Sequence, residues 1–189
     1  MTEVRSLALP DVKEIVPHRH RDHRGFFSEV WSAPALAAHG IAIDFVQDNH
    51  SFSVEEGVLR GLHYQEPPVA QAKLVRVARG AIFDVAVDIR HGSPTFGRWV
   101  GLTLTAEAWN QILVPVGFAH GFITLAPNTE VLYKASAPYS PAHERSIRFD
   151  DPAIGIDWPL AGRAPILSDR DRTAAPLADL PPAFHADAT

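Results

Sequence analysis

The sequence predicts an all-β protein closed into a jelly-roll barrel with only minor short helices, and three observations carry that prediction. Short runs rich in β-branched and aromatic residues follow one another from Gly57 onward. The 16 Pro and 12 Gly are spread between such runs as punctuation, and helical periodicity is absent from all of them. A chain of 189 residues with 46% hydrophobic content is also long enough to bury one sizeable core without a staple.

In chain order, the stretch up to Trp31 reads as strands at a sheet edge, where an unpaired ladder invites a second subunit; a homodimer is the expectation. Residues 32–40 carry the one good helical signal, with Ser32 as N-cap, Pro34 in the first turn and Gly40 as terminator. Strands are predicted over residues 58–64, 73–79, 81–89, 99–105, 111–114, 118–125 and 130–137. Gly80 marks a hairpin turn, and Pro94 to Gly97 and Pro115 to Gly117 mark further reversals, so consecutive strands are expected to pair antiparallel. Residues 1–172 then form a single domain, and residues 173–189, rich in Pro, Ala and Asp without periodicity, read as a weakly ordered tail. A closed β architecture of this kind encloses a ligand in its interior.

Composition removes several function classes. With no Cys, disulfides, thiol nucleophiles, thiolate zinc sites and iron–sulfur clusters are excluded, and any metal must bind through His or carboxylate. No apolar run approaches the roughly 18 residues a membrane helix needs, and the first residues carry charge where a signal peptide would be apolar, so a cytoplasmic protein is expected. A net charge of −5 with no basic stripe interleaved with aromatics argues against nucleic acid as a partner.

Three polar residues break the strand alternation in a consistent way. Lys73 shares its parity with Val75 and Val77, Asp84 with Ile82 and Ala86, and Tyr133 with Val131. Either all three point into the barrel, where charge needs a partner or a ligand, or they face solvent and the other parity is core; pattern alone gives the two equal weight. His63 and His120 likewise stand among apolar strand residues. Each taken singly reads as a core histidine, whereas both inside one barrel shift the balance toward base or ligand. The tract His18-Arg19-His20-Arg21-Asp22-His23 has metal-ligand residue types, but its arginines repel a cation and a solvated loop is the favoured reading.

These residues fall within a longer series of blocks: Asp22-His-Arg24-Gly25-Phe-Phe27-Ser-Glu29, Gln47-Asp-Asn49-His-Ser51, Arg60-Gly61-Leu-His63-Tyr64-Gln65, Gln71-Ala-Lys73, Phe83-Asp84, Ser93-Pro-Thr-Phe-Gly97, Pro115-Val-Gly117-Phe-Ala-His120, Tyr133-Lys134 and Leu167-Ser168-Asp169-Arg170-Asp171. From about Asp11 to Asp171 the chain resembles the dTDP-4-dehydrorhamnose 3,5-epimerases. The resemblance implies a cupin-type jelly roll, a homodimer with N-terminal strand exchange, and a nucleotide-linked keto sugar, dTDP-4-dehydro-6-deoxy-D-glucose, epimerised at C3 and C5 on the way to dTDP-L-rhamnose. It implies no cofactor and no metal.

The residue types suit that chemistry. Both carbons lie next to the C4 ketone, so their protons become removable when a base is close and the enolate oxygen is stabilised. By the resemblance His63 is the base, Asp171 orients its imidazole, Tyr133 is the acid on the opposite face, and Lys73 stands near the sugar oxygen; Asp169 competes with Asp171 for the dyad. Arg24, Phe27, Glu29, Gln47, Asn49, Arg60, His120, Tyr139 and Glu144 match positions lining the nucleotide-sugar cleft, with Arg24 and Arg60 suited to the pyrophosphate. Arg24 to Glu29 are expected to reach the neighbouring subunit's site. Two positions depart from the family pattern: Arg170 replaces a lysine, and Phe149 stands where tryptophan is common. The alternatives are an epimerase acting at C3 or C5 only, a metal-dependent cupin, and a non-catalytic sugar-binding jelly roll. The metal cupin is disfavoured because the first motif reads His63-Tyr64-Gln65 rather than His-x-His, leaving the ligand set short.

Overall fold

The computed structural model describes residues 2–186. The hairpins β1 (Glu3–Ser6) with β2 (Lys13–Val16) and β3 (His20–Asp22) with β4 (Gly25–Phe27) come first, followed by α1 (Ala33–Ala37). Next are β5 (Gln47–Ser53), β6 (Leu59–Gln65), β7 (Lys73–Arg79), β8 (Ala81–Asp88), β9 (Arg90–His91), β10 (Trp99–Thr105), β11 (Gln111–Val114), β12 (Phe118–Thr124) and β13 (Thr129–Ala135). The C-terminal part holds β14 (Glu144–Ser146), α2 (Asp169–Arg172), a 3-10 turn at Leu177–Asp179 and β15 (Phe184–His185). Two antiparallel sheets face one another, one ordered β1-β2-β11-β7-β13-β5 and the other β10-β8-β12-β6-β14. This is the jelly-roll architecture of a cupin-type barrel, built almost wholly of strand.

The predicted strands lie within a few residues of those observed, and consecutive antiparallel pairing holds for β8 with β10 across the Pro94 to Gly97 reversal but not for the other predicted neighbours. β7 and β8, joined through Gly80, belong to opposite sheets, as do β11 and β12, and β12 and β13. Gly80, at φ 81°, therefore carries the chain from one layer to the other instead of closing a hairpin, and a Cβ there would meet Thr129 Oγ1 at 2.3 Å. The physical reason is burial. Crossing between layers sets the inward residues of both strands, Val75 and Val77 against Ile82 and Ala86, into one core with Leu104, Ile112, Phe118, Phe122 and Val131; a flat meander would leave that face wet. At the N-terminus, β2 pairs with β11 and β1 ends the sheet, so the strands do occupy an edge.

The outer faces are covered as well. Leu36 of α1 and Ile41 pack on Ile15, Leu74 and Leu113 of the six-stranded sheet. The helix is shorter than its signals predict and Ser32 makes no side-chain cap; its apolar contact through Leu36 holds it instead. Behind the five-stranded sheet, Leu59, Leu62, Val85, Val87, Ala119 and Ile123 are covered by Ile147, Ile154, Trp158 and Phe184.

That second layer corrects the reading of the C-terminus. From Thr173 to Ala186 the chain is docked, not loose: Ala175 bridges Ile147, β15 pairs in parallel with β9, and Phe184 is buried. Its apolar residues are too widely spaced to show a period, yet Leu177, Leu180, Ala183 and Phe184 reach the same apolar face of the sheet. The last three positions of the expected tail, 187–189, lie outside the described residues. Among the described residues no helix is long and apolar enough to cross a membrane.

Candidate active site

A cavity of about 460 Å³ opens between the two sheets, and its wall includes Arg60 and His63 from β6, Lys73 from β7, His120 and Phe122 from β12, and Tyr133 from β13. Ile166 to Asp171 close the remaining side. The inward reading of Lys73, Asp84 and Tyr133 is thus the one the fold adopts, with Asp84 fully buried beside the cavity.

Arg60 and His63 are three residues apart, so a regular strand would send them to opposite faces. A bulge brings them to the same one: on β12, His120 faces His63 and Phe122 faces Arg60, so two steps of β12 are matched by three of β6. Gly61 sits in that bulge at φ 128°, and a Cβ on it would lie 2.6 Å from Gly121 Cα and 2.9 Å from the His120 carbonyl oxygen. Only glycine satisfies both the backbone angle and the approach.

His63 Nε2 is 2.6 Å from Asp171 Oδ1. Asp171 is fixed in turn by Ser168, whose hydroxyl donates to Oδ2 at 2.9 Å and caps α2 by accepting from the Asp171 amide. Burial alone would push the Asp171 carboxyl up, but hydrogen bonds from His63, Ser168 and the Gly61 backbone hold it below the usual carboxylate range. Asp171, buried, is the partner of His63; Asp169 points to solvent on the first turn of the same helix.

A second histidine–carboxylate pair lies deeper. His120 Nε2 is 2.9 and 3.0 Å from the two Asp84 oxygens. Burial pushes the Asp84 carboxyl up and the His120 imidazole down, each against the attraction of the other. The same burial brings the Lys73 ammonium from its ordinary 10.5 down to about 8, opposed by the charges of Glu144 and Asp84. Across the cavity, burial and then the Glu144 charge push the Tyr133 phenol up, so at neutral pH it retains its proton.

At the rim, Glu144 accepts hydrogen bonds from the Tyr139 hydroxyl at 2.6 Å and from Arg170, whose Nε also donates to Ser146 Oγ at 2.8 Å. Burial would raise the Glu144 carboxyl; those donors keep it low. Gln47 joins β5 to this rim by accepting from the Tyr139 amide at 2.8 Å and donating to Asn49 Oδ1 at 2.8 Å.

Of the residues singled out from the sequence, His63, Lys73, Arg60, His120, Tyr133 and Asp171 share the cavity, and Gln47, Asn49, Tyr139 and Glu144 form the network beside it. Arg24, Phe27 and Glu29 are not brought there. All three are exposed: Arg24 bonds Asp22 within the β3–β4 hairpin, Phe27 is 72% exposed, and Glu29 lines a separate surface hollow with His18, His20 and His39. Among the described residues no His, Asp or Glu group is arranged to hold a metal ion, the His18 to His23 tract included. Sequence reasoning missed Ser51, Ser168 and Arg170 as cavity residues. Ser168 carried a signal, since a serine three residues before a carboxylate is a helix-start pattern; for Ser51 the signal is its place in the β5 alternation, where 47, 49, 51 and 53 face inward and 48, 50 and 52 outward.

Comparison with known proteins agrees with this geometry. A family model described as dTDP-4-dehydrorhamnose 3,5-epimerase matches residues 6–179. The chain is 53% identical over 173 residues to the dTDP-4-dehydrorhamnose 3,5-epimerase of Salmonella typhimurium, covering 91% of this chain and 93% of that one. It also superposes on a crystal structure of the Legionella pneumophila dTDP-6-deoxy-D-glucose-3,5-epimerase in complex with dTDP-4-keto-L-rhamnose, with TM-score 0.94 and 43% identity over the whole of both chains. The chain belongs to the dTDP-4-dehydrorhamnose 3,5-epimerase family.

Within this epimerase family the same barrel also serves a 3'-monoepimerase of Streptomyces bikiniensis, solved with dTDP-quinovose, at TM-score 0.84 and 39% identity over 92% of this chain and 87% of that one. Of the two departures of this epimerase-family chain, the first has a local explanation and the second has none in the structure. Arg170 uses its fork to hold Ser146 and Glu144 together, which a lysine ammonium cannot do with fixed geometry. Phe149 packs in the layer behind the five-stranded sheet, where its carbonyl accepts from Trp158 Nε1 at 2.8 Å.

Proposed function

We propose that this protein inverts C3 and C5 of dTDP-4-dehydro-6-deoxy-D-glucose, giving dTDP-4-dehydro-L-rhamnose. One observation carries the reading: His63 on the five-stranded sheet, paired with Asp171 of α2, and Tyr133 on the six-stranded sheet border one cavity from opposite sides. A sugar ring between the sheets offers one face to each.

His63 takes the proton from the carbon next to the ketone, and the electron pair moves onto the C4 oxygen as an enolate. Asp171 holds the imidazole and offsets its new charge. The Lys73 ammonium, with the His120 imidazole nearby, stabilises the enolate oxygen. Tyr133, still protonated at neutral pH, returns a proton to the opposite face, and the configuration is inverted. The same set acts at the second carbon. Arg60 suits the pyrophosphate, and Gln47, Asn49, Tyr139 and Glu144 the remainder of the nucleotide sugar. Arg24, Phe27 and Glu29 belong, in this reading, to the site of a second subunit in a cytoplasmic homodimer, and their exposure away from their own cavity supports it.

The test is proton NMR of dTDP-4-dehydro-6-deoxy-D-glucose with chelator-treated protein in heavy water. Loss of both the C3 and C5 proton signals without added cofactor is expected. Exchange at one carbon reassigns the protein as a single-site epimerase, and exchange at neither overturns the reading.

A further inference from the structure

We infer that Trp109 is a positioning residue that acts on the second subunit's site, by holding the β3–β4 hairpin of its own chain in the direction that presents Arg24, Phe27 and Glu29. This rests on the reading above that those three residues serve a neighbouring site. Trp109 lies in the turn between β10 and β11, and its φ of 62° puts a bulky side chain in the left-handed region. A residue other than glycine persists there only when its surroundings hold it.

The hairpin and its flanks supply those surroundings. The indole Nε1 donates to Ser28 Oγ at 3.0 Å, and the Ser28 hydroxyl donates in turn to the His18 carbonyl oxygen at 2.8 Å, so the two ends of the hairpin are tied at one point. The Phe26 ring meets the indole edge to face, with centroids 4.7 Å apart and planes at 78°. The Arg19 guanidinium lies over both rings, 5.6 Å from the indole and 5.8 Å from Phe26, while its Nη2 donates to the Glu107 carbonyl oxygen of the same turn at 2.9 Å.

The alternation of β4 gives this clamp its consequence. Phe26 turns toward Trp109, so Phe27 faces the other way and stands exposed. β3 and β4 form a two-stranded sheet of their own, separate from both sheets of the barrel. An isolated hairpin of this kind is marginal in water, and the indole contact fixes its direction relative to the barrel. Trp109 itself lines none of the cavity wall described above, so its effect on the reaction passes through the hairpin.

The experiment compares Trp109→Gly and Trp109→Phe with the wild type in steady-state kinetics on dTDP-4-dehydro-6-deoxy-D-glucose, with thermal midpoints alongside. Glycine accepts φ 62° without strain, so Trp109→Gly removes the clamp while sparing the turn, and its midpoint should stay near that of the wild type. Its KM should rise about tenfold or more with kcat changed less, because the misplaced groups bind substrate and move no proton. Trp109→Phe keeps a ring against Phe26 and should recover most of that loss. Mixed dimers of Trp109→Gly and His63→Ala, isolated through a different tag on each subunit, then separate the two subunits' contributions. Their one site that keeps His63 receives an unaltered hairpin, so its KM should return to the wild-type value. A KM still raised in the mixed dimer would place the effect of Trp109 within its own subunit, and an unchanged KM in the Trp109→Gly homodimer would show that it positions nothing; either result overturns the inference. Mixed dimers of Arg24→Ala and His63→Ala test the shared-site reading separately. If they show no recovery over the Arg24→Ala homodimer, that reading fails; recovery there without recovery for Trp109→Gly removes the role of Trp109 alone.

Discussion

His63 and Asp171 are 108 positions apart in the chain and 2.6 Å apart in the fold. The β6 bulge turns one inward, and the capped helix α2 turns the other toward it, so the dyad depends on two unrelated local structures meeting across the cavity mouth.

Replacing Asp171 by Asn keeps the shape but removes the negative charge and puts an NH2 donor in place of one of the two acceptor oxygens, which His63 and Ser168 now share. A fall in kcat of about 10²- to 10⁴-fold is expected, with dTDP affinity little changed. Steady-state kinetics with calorimetric binding of dTDP checks both. A large loss of dTDP affinity would instead place Asp171 in binding.

Tyr133→Phe separates the two halves of each inversion. The dyad can still remove a proton and return a solvent deuteron to the same face, so heavy-water incubation should show exchange without inverted product. Mass spectrometry for label and NMR for configuration read the two outcomes separately, and normal yields of inverted sugar would remove Tyr133 from the mechanism.

Lys73 sets an alkaline limit. Its pKa of about 8 means that the ammonium beside the enolate is lost above that pH, and activity should fall there with a limb absent from Lys73→Met. The stability sign is the opposite. Between about 8 and the ordinary 10.5 the unfolded chain still binds a proton that the folded protein has released, so the burden Lys73 places on folding is greatest below about 8 and is relieved as pH rises through that window. Lys73→Met should therefore stabilise the protein to urea at neutral pH and lose that advantage near pH 10.5. A constant difference across the range would contradict the burial of the charge.

Gly61→Ala tests the bulge. With a positive φ and a Cβ 2.6 Å from Gly121 Cα, the substitution must displace β6 from β12. A loss of roughly 3 kcal/mol or more is expected in denaturant melts, together with loss of activity, since Arg60 and His63 share the cavity only through that bulge. A stable variant with full activity would show that the register does not depend on glycine.

Much of this architecture was legible beforehand, because strand alternation is a local property. Residues 73–79 and 111–114 are strands with the predicted limits, and the resemblance places His63, Lys73, Tyr133 and Asp171 in one site. Other features depended on contacts that no local pattern encodes. β5 carries Gln, Asp, Asn, His and Ser in place of apolar residues and does not read as a strand, yet β13 pairs with it over its full length. The Leu and Phe residues after Thr173 look like tail because they are spaced for a surface already built, not for a period of their own.

The sequence by itself determined the seven strands from residue 58 to residue 137, the absence of thiol chemistry and the family, since these rest on residue type, spacing and order along the chain. The tertiary structure decided which parity faces inward, that neighbouring strands cross between layers, and that Asp171 rather than Asp169 meets His63. These are relations between segments distant in the chain, decided by which faces can be buried together and which polar groups then find partners.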